Sequence, residues 1–88
     1  MSADFENEEL RFPLDCQFRV ITEKKEGMRF VIETVLLELE VFSPLKDEHE
    51  SRTGKYQSFS VNVHVESMQH MNQIDEALRS IVGVKMVL

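Results

Sequence analysis

The side chains of this 88-residue chain that could serve a reaction are an arginine and an asparagine in separate segments. In the segment EGMRF, Gly27 and Arg29 fall at the start of a predicted helix, where anions are favoured. Asn62 falls on a predicted strand and could position a water molecule. The pair would suit a small acylphosphatase-like hydrolase, which holds a phosphate with an arginine and backbone N–H groups. Because the loop has a single glycine and Arg29 follows it inside the helix, an ordinary helix start with a solvated arginine is the favoured interpretation.

The histidines and the cysteine show no pattern of a metal site or of an activated nucleophile. His64 and His70 are six residues apart across a strand-to-helix junction, and His49 falls in a charged segment. Zinc requires three or four ligands at recognisable spacing. Cys16 is the single cysteine, so it cannot form an internal disulfide, and a structural thiol is expected. We therefore predict that the chain is not an enzyme and that it has no catalytic residues, no metal and no cofactor.

The charge of the chain limits its partners. A formal net charge of −6 at pH 7 disfavours nucleic acid and anionic membranes. The acidic residues are concentrated at the start, so we predict a flexible acidic arm over residues 1–12 and a single domain over residues 13–88. The start lacks a signal-peptide pattern, and no apolar run approaches the roughly 20 residues that cross a bilayer. We expect a cytoplasmic protein of bacterial type without a membrane partner.

Hydrophobic periodicity in the first half of the chain predicts a strand and then a helix. Residues 16–21 alternate between apolar and polar side chains, as in a half-buried strand. From about Glu26 the apolar residues repeat at helical spacing, and Pro44 is expected to end this helix. The charged residues 45–54 are compatible with a short edge strand, because charged side chains protect a sheet edge from further pairing.

The second half of the chain predicts a strand, a helix and a final strand. In the segment GKYQSFSVNVHVES, apolar residues alternate with small polar ones. Ser67 then stands where a helix N-cap belongs, and an amphipathic helix follows that Gly83 is expected to terminate. The terminal segment VKMVL is typical of a strand.

This order of elements predicts an α+β fold, a ferredoxin-like βαββαβ sandwich with two helices packed on one face of a four-stranded antiparallel sheet. The third strand would be central, with its apolar face toward the helices. The open face of the sheet would carry small, mostly neutral side chains, namely Ser58, Ser60, Asn62 and His64. Such side chains let another surface approach without the desolvation cost of full charges. We predict that this face is an interface for a protein partner or for a second copy in a homodimer.

An RNA-binding module is a second alternative, because RNA-recognition domains share this architecture. They stack bases on two or three aromatic side chains of the open face. Here that face offers Tyr56 at one end, and the net charge is negative. Both features disfavour RNA, and we predict no nucleic-acid partner.

Three segments, taken in order, resemble the YbeD-like family of small bacterial proteins, which has an ACT-like, ferredoxin-type fold. They are RFPLDCQFRVI, GKYQSFSVNVHVES and VKMVL, and the resemblance covers about residues 11–88. It implies a regulatory domain that senses a small metabolite, such as an amino acid or a lipoate-related compound, or that modulates a partner enzyme. In ACT domains the effector sits between paired domains, near a glycine at the end of the first strand. The corresponding position is Thr22, with Gly27 five residues later, so the predicted ligand-binding residues are Thr22, Gly27 and Arg29.

Overall fold

The sheet and helices are seen in a computed structural model that describes residues 11–88, except for the side chains of residues 48 and 49. The elements are β1 (Leu14–Glu23), α1 (Met28–Glu38), β2 (Lys46–Glu50), β3 (Tyr56–Val65), α2 (Met68–Arg79) and β4 (Val84–Val87). This order confirms the predicted ferredoxin-like βαββαβ arrangement. The predicted acidic arm lies almost entirely outside the described residues.

The four strands form one antiparallel sheet in the order β2-β3-β1-β4. β1 and β3 are central and pair along their whole length, from Leu14 opposite Val65 to Glu23 opposite Tyr56. β2 is a short, charged edge strand, so residues 45–54, which the sequence left open, do contain one. Because charged side chains oppose further pairing, β2 protects this edge of the sheet.

The core lies between one face of the sheet and both helices. The buried face of β3 is the predicted apolar one, with Phe59, Val61, Val63 and Val65 each at most 4% exposed. α1 contributes Met28, Ile32 and Leu36, and α2 contributes Ile74 and Leu78. Burying one such side chain is worth about 1.5–3 kcal/mol, so these residues hold the helices on the sheet. The opposite face of the sheet is left open.

α1 ends through a local backbone motif, and the prediction that Pro44 ends it is wrong. The Glu40 N–H donates to the Leu37 carbonyl (2.9 Å), and the Val41 N–H donates to the Leu36 carbonyl (2.8 Å). These two bonds form a Schellman motif, which closes a helix with a residue in the left-handed conformation. That residue is Glu40, with φ 61°. The helix is therefore closed before the chain reaches the proline.

α2 begins at the predicted cap and ends before the predicted glycine. The Ser67 hydroxyl accepts a hydrogen bond from the His70 N–H (3.0 Å), which confirms Ser67 as the N-cap. The helix ends at Arg79, with Ser80 as its C-cap. Gly83 lies further along, in the turn that leads into β4, where its φ of 98° suits a residue without a Cβ atom. The prediction that Gly83 terminates the helix is wrong, because its positive φ serves this later turn.

Candidate functional site

The predicted interface residues share the open face of the sheet but differ in accessibility. Ser60 is only 1% exposed, whereas the others are half-buried or exposed, namely Ser58, Asn62 and His64. Ser60 stands opposite Arg19 on β1 and Lys46 on β2, and long side chains of this kind cover a small neighbour with their aliphatic stems. An approaching molecule would meet Asn62 and His64 before Ser60. That this face is an interface stays a prediction.

His64 forms an ion pair at one end of the open face. Its Nδ1 lies 2.9 Å from Oδ1 of Asp15, and its Nε2 lies 3.9 Å from Oε2 of Glu66. The hydrogen bond to Asp15 is the main cause that raises the pKa of His64, and the negative charges of Asp15 and Glu66 add to it. The charge of this end of the face therefore depends on pH in the range where histidine titrates.

We expect an NMR titration of the imidazole protons to give His64 a pKa above that of a free histidine, and Asp15→Asn to lower it. Because the folded-state pKa exceeds the unfolded one, stabilisation by this pair is complete below the unfolded pKa. It is lost as the pH rises through the folded pKa. Asp75→Asn, on α2, is the matched control and should leave the titration of His64 unchanged. A His64 pKa that does not move in Asp15→Asn would contradict this assignment.

The other end of the open face is apolar, which the sequence analysis did not foresee. Met86 on β4 stands opposite Ile21 on β1, and Ile21 stands opposite Ser58 on β3. Tyr56, two residues along β3, is therefore a diagonal neighbour of Ile21. Leu88 continues β4 through two backbone hydrogen bonds to β1 (2.8 and 3.1 Å) and lies on the same face as Met86. We call Ile21, Tyr56, Met86 and Leu88 the sheet patch.

Three side chains of the sheet patch are exposed to about half, and Ile21 is half-buried. The exposed fraction is 41% for Tyr56, 47% for Met86 and 62% for Leu88. A shallow hollow of about 160 Å³ opens beside them, lined by Ile21, Ser51, Tyr56, Gln57 and Ser58. Pockets that bind small molecules usually measure roughly 300–1,000 Å³. The hollow of a single chain is therefore too small to enclose a typical metabolite.

The predicted ligand-binding residues lie in and after β1, but in different surroundings. Thr22 is fully buried on the helix side of the sheet, and its hydroxyl donates to the Glu23 carbonyl (2.8 Å). Gly27 precedes α1 and has φ 83°. Arg29 follows in the first turn of the helix. The structure thus brings Gly27 and Arg29 together and leaves Thr22 in the core; a ligand at this loop stays a prediction.

The Arg29 guanidinium connects α1 to β2 and the residues before it. Its Nη2 donates to the Leu45 carbonyl (2.6 Å), its Nε lies 3.3 Å from Oε2 of Glu33, and its Nη1 contacts the Asp47 carboxylate. Charge-assisted bonds of this kind are stronger than neutral ones. Arg29 would have to exchange these partners before it could bind an anion.

A family model described as "Protein of unknown function (DUF493)" matches residues 7–88, which is most of the chain. The chain belongs to the DUF493 family. This result confirms the resemblance to the YbeD-like family. No curated protein matches the DUF493 chain at a significant level.

Solved structures that are similar to this DUF493 chain share its fold. The solution structure of protein HP0495 from Helicobacter pylori has a TM-score of 0.77 at 22% identity, covering 100% of this chain and 94% of that chain. The solution structure of the ACT domain from the GTP pyrophosphokinase of Chlorobium tepidum has a TM-score of 0.65 at 17% identity, covering 85% of this chain and 83% of that chain. At these identities the likeness establishes an ACT-like fold alone.

Arg29 and Asn62 lie on opposite sides of the sheet in this DUF493 chain. Asp47, which Arg29 contacts, stands opposite Phe59, and the Phe59 side chain is buried under the helices. Asn62 is exposed on the open face. The acylphosphatase-like alternative required the two side chains to converge on one phosphate. In the form that uses this pair, it is wrong.

Among the described residues of the DUF493 chain, few other groups are candidates for a binding or catalytic site. There, no cluster of three or more His, Cys, Asp or Glu side chains could hold a metal ion. Neither described helix is long and apolar enough to span a membrane. Cys16 is half-buried, and burial raises the pKa of its thiol. Among the described strand positions of the open face, Tyr56 is the one Phe, Tyr or Trp residue, and RNA binding stays disfavoured.

Proposed function

We propose that this chain is a non-enzymatic, cytoplasmic regulatory domain that pairs with a second copy through the open face of its sheet and senses a small metabolite there. The main observation behind this proposal is the sheet patch, because its apolar side chains stay in contact with water unless another surface covers them. Removing apolar surface from water contributes roughly 25 cal/mol per Å². The ACT-like fold supports the proposal, since that fold commonly mediates ligand binding or oligomerisation.

The charges of the open face permit self-association, although the whole chain carries a net charge of −6. Arg19 and Lys46 lie on this face with Asp15 and Glu23, so both signs are present. Glu23 pairs with Lys85 (3.0 Å), and the hydrogen bond from Lys85 lowers the pKa of Glu23. Two faces of mixed sign can align opposite charges, which keeps repulsion between two copies small.

Pairing would also give the hollow a useful size. Two hollows of about 160 Å³ that face one another would together just exceed the roughly 300 Å³ at which ligand pockets begin. Ile21 and Tyr56 would contact the apolar part of an amino acid or of a lipoate-related compound. The predicted ligand-binding loop after β1 borders the same end of the sheet, since the Lys24 N–H donates to the Lys55 carbonyl (2.9 Å).

The oligomeric state tests the pairing directly. We expect light scattering to give the mass of a dimer, and Met86→Lys to raise the dissociation constant of that dimer by at least about tenfold, because it places a charge in an apolar contact. Gln69→Lys adds the same charge at an exposed position of α2 and should leave the mass unchanged. A monomeric wild type, or a dimer that Met86→Lys does not weaken, would overturn the pairing.

The melting temperature tests metabolite sensing separately from pairing. In a thermal-shift screen of amino acids and lipoyl compounds, a ligand at about 100 times its Kd should stabilise the folded state by about 2.7 kcal/mol and raise Tm. Tyr56→Ala removes one wall of the hollow and should abolish that shift. If the protein is a dimer and no compound raises its Tm, sensing is wrong and pairing stands. The regulatory role would then be exerted by contact with a partner enzyme.

A further inference from the structure

The outer side of α1 carries large exposed apolar side chains among polar ones, whereas the outer side of α2 is polar. On α2, the positions opposite its buried residues are exposed and polar, namely Gln69, Asn72, Gln73 and Glu76. On α1, the positions opposite the core include Phe30 and Leu37, which are 72% and 57% exposed. On a surface helix the side away from the core is normally charged or polar, so large apolar residues there indicate a second contact. One side of α1 is therefore uncovered in a single chain.

The exposed apolar side chains of α1 lie in a line. Phe30 and Leu37 are separated by two helical turns, so they lie on the same side of the helix about 10 Å apart. Thr34 lies between them, and its hydroxyl already donates to the Phe30 carbonyl (2.8 Å). Phe42, which is 77% exposed, follows just after the helix. We call Phe30, Leu37 and Phe42 the helix patch.

A groove lies at one end of the helix patch, between Leu37 and Phe42. Its volume is about 250 Å³, and the rest of its lining includes Glu33, Leu36, Val41 and Leu45. A mostly apolar groove of this kind accepts a large side chain that projects from a partner, as the anchoring residues of protein interfaces do. Its shape thus fits a protein surface with projecting apolar side chains.

Carboxylates lie next to the helix patch: Glu33 lines its groove, and Glu40 lines a neighbouring hollow together with Phe42. Glu38 and Glu40 have no ion-pair partner among the described residues. Arg29 is the one basic residue of α1, and it is engaged with Glu33 and Asp47. The border of the patch is therefore negative, and it attracts a positively charged partner.

The same charges disfavour the other molecules that could cover the patch. The first ten residues carry four carboxylates and no basic side chain. A second copy would bring its own negative helix patch against the first. An anionic membrane surface is repelled as well. Charge complementarity therefore favours a basic protein segment.

We propose that the helix patch binds a basic amphipathic helix of a partner protein. Apolar side chains of that helix, repeating at three- and four-residue intervals, would contact Phe30 and Leu37 and fill the groove beside Phe42. Its lysines or arginines would face Glu40, which lies beside Phe42. This contact uses the side of the molecule opposite the sheet patch, so it is independent of the proposed pairing.

The test uses the full chain and a fluorescein-labelled peptide of about 18 residues. The peptide is made of leucine, alanine and lysine, with the leucines on one helical face and the lysines on the other. Fluorescence anisotropy should show binding, and a peptide with glutamate in place of every lysine should not bind. Phe30→Glu and Leu37→Glu should each weaken binding by at least about tenfold. Val82→Glu is the matched control, because it changes an apolar residue that is 83% exposed elsewhere in the fold, and it should bind as the wild type does.

Phe30→Glu removes an apolar contact and adds a negative charge that attracts the lysine peptide. The two contributions to binding therefore change in opposite directions. If charge alone drove binding, Phe30→Glu would tighten the complex, and that result would overturn the proposal. Light scattering of Phe30→Glu should show the wild-type mass; a loss of mass would mean that a second copy occupies the patch. The full-length variant Phe5→Ser should leave the amide NMR signals of α1 unchanged. If those signals move, the first ten residues occupy the patch, and the proposal is wrong.

Discussion

Replacing Ile74 with alanine is expected to lower the free energy of unfolding by about 3 kcal/mol. Ile74 is 0% exposed and, with Leu78, is one of the buried residues through which α2 packs on the sheet. The smaller side chain leaves a cavity that the surrounding core refills only in part. A domain of this size is stable by about 4–13 kcal/mol, so the loss is a large fraction of the total. Tm should fall by more than about 10 °C.

Urea unfolding measures this effect, with Gln73→Ala as the control on the same helix. Gln73 is exposed, and its replacement should change stability by no more than about 0.5 kcal/mol. Similar losses in the two variants would contradict the packing of α2. α2 also supports β4, since Arg79 Nη2 donates to the Val87 carbonyl (2.9 Å). Ile74→Ala should therefore weaken the proposed dimer too, because β4 carries Met86.

Gly83→Val is expected to lower the free energy of unfolding by about 3 kcal/mol as well, for a different reason. At φ 98° a β-branched residue is strained. A Cβ atom there would also lie 3.2 Å from Sδ of Met28, which is 4% exposed and packed in the core. The Gly83 carbonyl accepts the Glu23 N–H (2.9 Å), so a distorted turn would disturb the end of β1.

Gly54→Val separates the two contributions. Gly54 also has a positive φ, of 75°, but a Cβ atom there meets nothing within 4 Å. Its replacement should cost only the backbone strain, about 1–2 kcal/mol. The difference between the variants in urea unfolding contains the contact with Met28 and the extra strain of φ 98° over φ 75°. Equal losses would mean that Met28 moves aside at no cost.

The two uncovered apolar surfaces lie on opposite sides of a thin molecule. The sheet patch faces away from the helices, and the helix patch faces away from the sheet. A domain that pairs through one side and holds a partner through the other could transmit a change in pairing to that partner. The variants Met86→Lys and Phe30→Glu address the two sides separately.

Local patterns in the sequence determined most of the fold. The two-residue alternation around Phe18 and Val61 predicted the central strands and their buried faces, because neighbouring side chains of a strand point to opposite sides of a sheet. Helical spacing predicted both helices, and Ser67 predicted the start of the second one. These features depend on residues a few positions apart, so they can be found without knowledge of the rest of the chain.

Contacts between distant segments decided what the sequence alone could not. Ser60 belongs to the predicted polar face, yet it is only 1% exposed, and Arg19 and Lys46, which stand opposite it, come from two other strands. Arg29 and Asn62 were separated by the sheet itself. The sheet patch joins residues of three strands, none of which is unusual in its own segment. Strand register sets which side chains meet, and register is a property of the tertiary structure.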